Sequence, residues 1–122
     1  MYALIIDDDP IVQLIHKNLI KNRKIGNNTL QFIHAADAIE FIMKNNGDHF
    51  LIFLDLNMPE MNGWEFLDKI KYLDLDSKIK VVIVTSSIDK RDELKAAKYS
   101  NVLKYYMKPL SNEMLDEIEI IL

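Results

Sequence analysis

The sequence predicts an α/β domain: a five-stranded parallel sheet, doubly wound by five helices. Two observations carry this. Five short apolar runs recur along the chain, and most are continuous rather than alternating, which suits strands covered on both faces. After each run comes a stretch whose apolar residues repeat at helical spacing. The resulting βαβαβαβαβα order requires right-handed crossovers, and so a parallel sheet with a helical layer on each side.

The first run is Ala3–Ile6. Asp7, Asp8, Asp9 and Pro10 follow it, and Asp9 suits a helix N-cap with Pro10 in the first turn. The helix predicted there carries Ile11, Leu14, Ile15 and Leu19 as its core stripe, with Lys17, Asn18 and Lys21 opposite. The second run, Leu30–Ile33, precedes a helix with Ala38, Ile39, Ile42 and Met43 inward. The third, Leu51–Leu54, stops on Asp55, turns through Asn57–Pro59, and leads to a helix packed by Trp64, Leu67, Ile70 and Leu73. The fourth, Val81–Val84, runs into Thr85, Ser86 and Ser87. Its helix, Lys90–Lys98, has Leu94 and Ala97 as apolar positions. The fifth and weakest, Val102–Met107, ends on Lys108 and Pro109. The last helix, Ser111–Leu122, offers Met114, Leu115, Ile118 and Ile121.

Bulk properties narrow the function. A chain of 122 residues is enough for one domain, residues 1–122, with no effector domain expected beside it. Net charge is -4, and no helix-turn-helix segment is visible, so neither nucleic acid nor an anionic membrane is an expected partner. There is no cysteine, which removes disulfides, thiolate metal sites and cysteine nucleophiles. The opening "MYALIIDDDP" lacks the basic segment of a signal peptide, and no apolar stretch reaches membrane-spanning length; a cytoplasmic location is expected. His16, His34 and His49 are scattered and read as structural or surface residues. Lys90, Arg91, Lys95, Lys98 and Lys104 make the fourth helix locally basic. A solvated face balanced by Asp89, Asp92 and Glu93 is preferred over a docking surface for an acidic partner.

In a sheet of this kind ligands bind outside the carboxyl ends of the strands. Each residue there has an ordinary reading: a helix start, a turn hydroxyl, a solvated lysine. Together they would bring Asp7, Asp8, Asp55, Thr85 and Lys108 to one edge. Three carboxylates at close range raise one another's pKa unless a cation sits among them. An all-oxygen donor set favours Mg²⁺, held by Asp8 and Asp55 with positions left for a phosphoryl oxygen. Lys108 would add a second positive charge and Thr85 a hydrogen bond. Asp55 could then act as a nucleophile and form an aspartyl phosphate.

"LIIDDDP", "LIFLDLNMPEMNG", "VVIVTSS" and "YYMKPL" occur in this order over essentially the whole chain. In these motifs the chain resembles the receiver domain of two-component response regulators, and in length the free-standing, CheY-like chemotaxis receivers. The resemblance implies a flavodoxin-like strand order, 2-1-3-4-5. It implies Asp55 as phosphoryl acceptor, Asp8 as a direct Mg²⁺ ligand, Asp7 acting through water, and Asn57 giving a backbone carbonyl to the metal. It implies that Thr85 turns toward the phosphoryl group, that the Ser86 backbone N–H contacts it, and that Lys108 pairs with it. A cis peptide is expected between Lys108 and Pro109, and Tyr105 matches the switch aromatic. The implied donor is a sensor histidine kinase or phosphotransfer protein. The implied reader is an output protein on the face formed by the fourth helix, fifth strand and fifth helix, with dimerisation on phosphorylation left open. Catalysis would be limited to the domain's own phosphorylation and autodephosphorylation.

One departure stands out. "AAKYSNVLKYY" has Tyr99 and Ser100 where many receivers carry a Gly–Ala pair, so a differently shaped loop is expected. Asn57 and Ser87 occupy positions that tune dephosphorylation. The alternative with the same site is a phosphorelay intermediate that passes the group on to a histidine phosphotransfer protein. A haloacid-dehalogenase-type phosphatase needs a second aspartate two residues after the nucleophile; Asn57 stands there, and an amide cannot shuttle protons. A degenerate, constitutively binding receiver is disfavoured by the intact Asp7, Asp8, Asp55, Thr85 and Lys108.

Overall fold

Strands buried on both faces need apolar residues at nearly every position, and the inner strands come close to this, Lys80 being the one exposed residue among them. The computed structural model describes residues 1–122. Its strands are β1 (Tyr2–Ile6), β2 (Asn28–Phe32), β3 (Phe50–Leu54), β4 (Ile79–Thr85) and β5 (Val102–Met107). Its helices are α1 (Pro10–Asn22), α2 (Ala35–Lys44), α3 (Gly63–Tyr72), α4 (Lys90–Ala96) and α5 (Asn112–Ile121). A short 3₁₀ turn, Asp76–Lys78, precedes β4. All pairings are parallel and the order is β2-β1-β3-β4-β5, the flavodoxin-like arrangement expected from the sequence. No helix is long and apolar enough to cross a membrane.

Two cores lie on opposite faces of the sheet. One joins Leu4, Ile52, Leu54 and Ile83 to Ile39 and Ile42 of α2, Phe66, Leu67 and Ile70 of α3, and Ala96 of α4. The other joins Ala3, Ile5, Leu51, Phe53 and Val82 to Ile20 of α1 and Leu115 and Ile118 of α5. Helix starts are capped by side chains: Asp9 accepts from the N–H groups of Ile11 and Val12, and Asn62 forms a reciprocal capping box with Glu65.

The structure corrects several packing expectations. On α1 the stripe Ile11, Leu14 and Ile15 faces outward, with exposures of 70%, 60% and 46%. The inward residues are Gln13, His16 and Ile20. The polar pair is inside because each finds a backbone partner there, which offsets part of the cost of burying it; the Gln13 side-chain oxygen is left without a partner. On α4 the buried residue is Ala96, while Leu94 is 62% exposed and Ala97 is also exposed, because the helix turns its Ala96 side to the sheet. Phe66 is fully buried on α3, where the apolar spacing pointed to Trp64. Met43 and Ile121 are exposed. β2 is an edge strand, so it is half-buried rather than covered on both faces; Ile33 lies beyond its end and is exposed.

Two helices end in residues with left-handed backbone. Lys24 (φ 57) follows α1 and Asp74 (φ 57) follows α3. In each case the next residue's N–H reaches back into the helix, Ile25 to the Ile20 carbonyl and Leu75 to the Ile70 carbonyl. This is the Schellman arrangement, built here without glycine.

Candidate functional site

Strand order places the site. The sheet reverses direction of growth between β1 and β3, where the loops after them leave a crevice. Ile6 pairs in register with Leu54, so Asp7 and Asp55 emerge side by side. The Asp55 N–H donates to the Ile6 carbonyl at 3.0 Å, which locks the two strand ends together. Thr85 pairs with Met107, so Lys108 follows β5 beside the end of β4, its N–H donating to the Thr85 carbonyl at 2.9 Å.

Local contacts then fix the loops. The Asp9 N–H donates to Asp7 Oδ1 at 2.9 Å, folding the acidic turn back on itself. The Gln13 side-chain amide donates to the carbonyls of Asp7 (2.8 Å), Phe32 (2.8 Å) and Ile5 (3.2 Å), fastening that turn to α1. His16 Nε2 accepts from the Leu110 N–H at 3.2 Å and so holds the loop that carries Lys108. Gly63 opens α3 directly on the backbone of Asp55: a Cβ there would lie 2.7 Å from the Asp55 carbonyl oxygen, a distance that forces backbone apart.

The result is a cluster of Asp7, Asp8 and Asp55 whose carboxylate oxygens lie within 4.8 Å of one another. Asp7 and Asp55 are buried and Asp8 is exposed. Lys108 Nζ bridges the buried pair, 2.7 Å from Asp7 Oδ2 and 3.2 Å from Asp55 Oδ2. Burial raises the Asp55 pKa, and the neighbouring Asp7 charge adds to this, against the opposing pull of Lys108. Burial works to lower the Lys108 pKa, but the bonds and charges of Asp7 and Asp55 outweigh it and hold the ammonium above its ordinary value. His16 is held below its ordinary value chiefly by burial, although Asp7 works the other way.

One ammonium among three carboxylates leaves two negative charges in excess, and every available donor is oxygen. That combination suits a hard divalent cation. Asp7, Asp8 and Asp55 are the residues that could hold it.

The remaining residues lie around this cluster. Thr85 is fully buried, and its Oγ1 accepts from the Ser87 N–H at 3.2 Å rather than bonding to the carboxylates. Ser86 and Asn57 are exposed; the Asn57 N–H points toward Asp55 Oδ1 at 3.4 Å. The Lys108–Pro109 peptide is cis. Tyr105 packs on the α2–α3–α4 side of the sheet, whereas Tyr106 packs on the α1–α5 side and donates to Glu117 at 2.8 Å. Sequence reading passed over Gln13 and the Ser87–Asp92 hydrogen bond (2.6 Å) that ties the loop after β4 to α4, and read His16 only as a structural or surface residue. Gln13, His16 and Ile20 do follow helical spacing, a signal hidden because two of them are polar.

Comparison with known proteins agrees with this geometry. The family model for the response regulator receiver domain matches residues 3–119. The chain belongs to the response regulator receiver family. This receiver is 30% identical over 117 residues to the chemotaxis protein CheY homolog of Campylobacter jejuni, covering 96% of this chain and 88% of that protein. It is 29% identical over 124 residues to chemotaxis protein CheY1 of Helicobacter pylori, covering 100% and 97%. Among solved structures it is similar to a two-component response regulator from Cytophaga hutchinsonii, with a TM-score of 0.88 and 29% identity over 98% of this chain and 94% of that one. The receiver is thus a CheY-like domain of two-component signalling, a family of signalling switches.

Proposed function

We propose that this receiver accepts a phosphoryl group on Asp55 and switches a protein-binding surface in response. The observation that carries the reading is the placement of Asp55. It ends a buried central strand at the switch point, beside Asp7 and Asp8 and under the ammonium of Lys108. A carboxylate oxygen of Asp55 attacks the phosphorus of a phosphohistidine on a sensor kinase or phosphotransfer protein. The new O–P bond forms as the N–P bond breaks, and the departing imidazole takes a proton from solvent. Asp8 and Asp55, with the Asn57 carbonyl and with Asp7 acting through water, would hold Mg²⁺. When bound it would neutralise the carboxylates and the negative charge gathering on the phosphoryl oxygens.

The protein's own groups do the rest. Lys108 releases Asp7 and pairs with the phosphoryl oxygens, and the Ser86 backbone N–H donates to them. Thr85 turns its hydroxyl inward and gives up its bond from the Ser87 N–H. Ser87 is bonded to Asp92, so this change reaches α4. Tyr105, on the same side of the sheet, moves into the space Thr85 leaves. The face of α4, β5 and α5 then presents a different surface to an output protein, a shift between two populated states biased by the phosphoryl group.

The test is intact-mass analysis after incubation with Mg²⁺ and acetyl phosphate. The expected result is a single phosphoryl adduct that needs Mg²⁺ and is lost in Asp55→Asn. Absence of the adduct, together with failure to bind beryllofluoride, would sink the reading.

A further inference from the structure

The helices α3 and α4 enclose an open groove of about 570 Å³ on the surface away from the carboxylate cluster. Its charge runs against that of the protein. Lys71 stands on the α3 side and Arg91, Lys95 and Lys98 on the α4 side, in a chain whose net charge is -4. Of the acidic residues near α4, only Asp89 offsets a groove cation. Asp89 pairs with Arg91 at 2.8 Å, Glu93 lies 3.6 Å from Lys90, and Asp92 accepts from Ser87. Asp68 is the groove's one carboxylate, and Tyr99 donates to it at 2.7 Å. Lys71, Lys95 and Lys98 take part in no ion pair.

The groove also offers a rigid apolar wall. The Tyr99 ring stacks on Trp64 with centroids 5.9 Å apart, and Lys95 Nζ lies 4.5 Å from the Trp64 ring centre. Leu94 stands at the lip, exposed and without a packing partner in either core. A solvated basic helix needs neither an unpartnered leucine nor a stacked aromatic pair beside it. Two ammonium groups without a partner, Lys71 and Lys98, and a third held over the Trp64 ring, Lys95, surround an apolar lip and match one kind of occupant, a peptide with acidic residues flanking an aliphatic one.

We propose that the α3–α4 groove is a docking site for an acidic segment of a partner protein, with one aliphatic side chain seated on Leu94 and Tyr99. The surface shares α4 with the face of α4, β5 and α5 but lies on the α3 side of that helix, and docking there does not require phosphorylation. Trp64 is the only tryptophan, so its fluorescence reports the groove directly. The probe is a short peptide of aspartate and glutamate around a central leucine, titrated into the whole chain at low salt. Backbone amide shifts are followed in parallel. Saturable change of Trp64 emission is expected, with amide shifts confined to α3 and α4. Lys71→Ala/Lys95→Ala/Lys98→Ala should bind about tenfold more weakly, as expected for loss of several exposed ion pairs. Since all three lysines are exposed, the variant should melt as the wild type does. Lys17→Ala/Lys21→Ala, on α1, should bind as the wild type does. The proposal falls if the peptide shifts no α3 or α4 amides at millimolar concentration. It falls equally if the triple variant binds unchanged, or if a single-stranded RNA oligonucleotide occupies the groove more tightly than the peptide.

Discussion

Lys108 sits closer to Asp7 (2.7 Å) than to Asp55 (3.2 Å), so one ammonium serves two buried carboxylates at once. Lys108 is thus a structural counter-charge. Lys108→Met would leave Asp7 and Asp55 facing each other without it. We expect a loss of about 2 kcal/mol at pH 7, less than the cost of breaking a fully buried pair because the lysine keeps some contact with solvent. The sign with pH follows from the raised Asp55 pKa. A carboxyl whose folded pKa is raised contributes stability below its unfolded pKa and loses it as pH rises through the folded value. Removing Lys108 raises the Asp55 pKa further. The deficit against wild type should therefore grow from pH 4 to pH 7 in urea melts.

Gln13 is placed to hold the acidic turn by three backbone carbonyls. Gln13→Leu keeps similar bulk and removes those donors. A cost of about 1–3 kcal/mol is expected from stranding buried acceptors. Mg²⁺ affinity, followed by Trp64 fluorescence, should fall as well. Unchanged Mg²⁺ affinity in a folded variant would show that the turn keeps its shape without Gln13.

His16 is buried and neutral, accepting from Leu110. Its folded pKa is lowered by burial, so the unfolded chain binds the proton more readily. The stability it contributes is present above its unfolded value of about 6.5 and is lost as pH falls below it. In His16→Gln the amide oxygen can still accept from Leu110, but nothing titrates. The stability advantage of wild type over this variant should shrink between pH 7 and pH 5. A constant difference over that range would contradict the assignment.

Lys24 carries a left-handed backbone (φ 57) at the end of α1. Glycine adopts that conformation without the Cβ clash, so Lys24→Gly should stabilise the protein by about 1 kcal/mol. Thermal melts of the two proteins decide the point. A lower melting temperature would mean that the added freedom of the unfolded chain outweighs the relief.

The legible parts of this protein were those where one residue type broke a local pattern. Asp55 interrupts an apolar run at the point where a strand must end, and Lys108 does the same after β5. Their partners follow once parallel topology is inferred, because every strand then ends on the same edge. The inner face of α1 was not legible for the converse reason. Periodicity analysis assigns burial to apolar residues, and here Ile11, Leu14 and Ile15 lie outside while Gln13 and His16 lie inside. Only knowledge of which carbonyls and N–H groups of the neighbouring loops needed partners would have reversed that choice. The α4 face misled similarly: Leu94 was the larger apolar residue, but the helix turns Ala96 to the sheet and Leu94 outward.

The bridge from Lys108 to Asp55 spans 53 residues of chain, and Asp7 belongs to the first strand. During synthesis the amino-terminal half would leave the ribosome with its aspartates in place but no lysine to offset them. The strand pairing that delivers Lys108 can form only once β5 has been made. A nascent or truncated chain ending before β5 therefore cannot assemble the charge balance seen here. The offset of the buried aspartates is therefore acquired only on completion of the sheet.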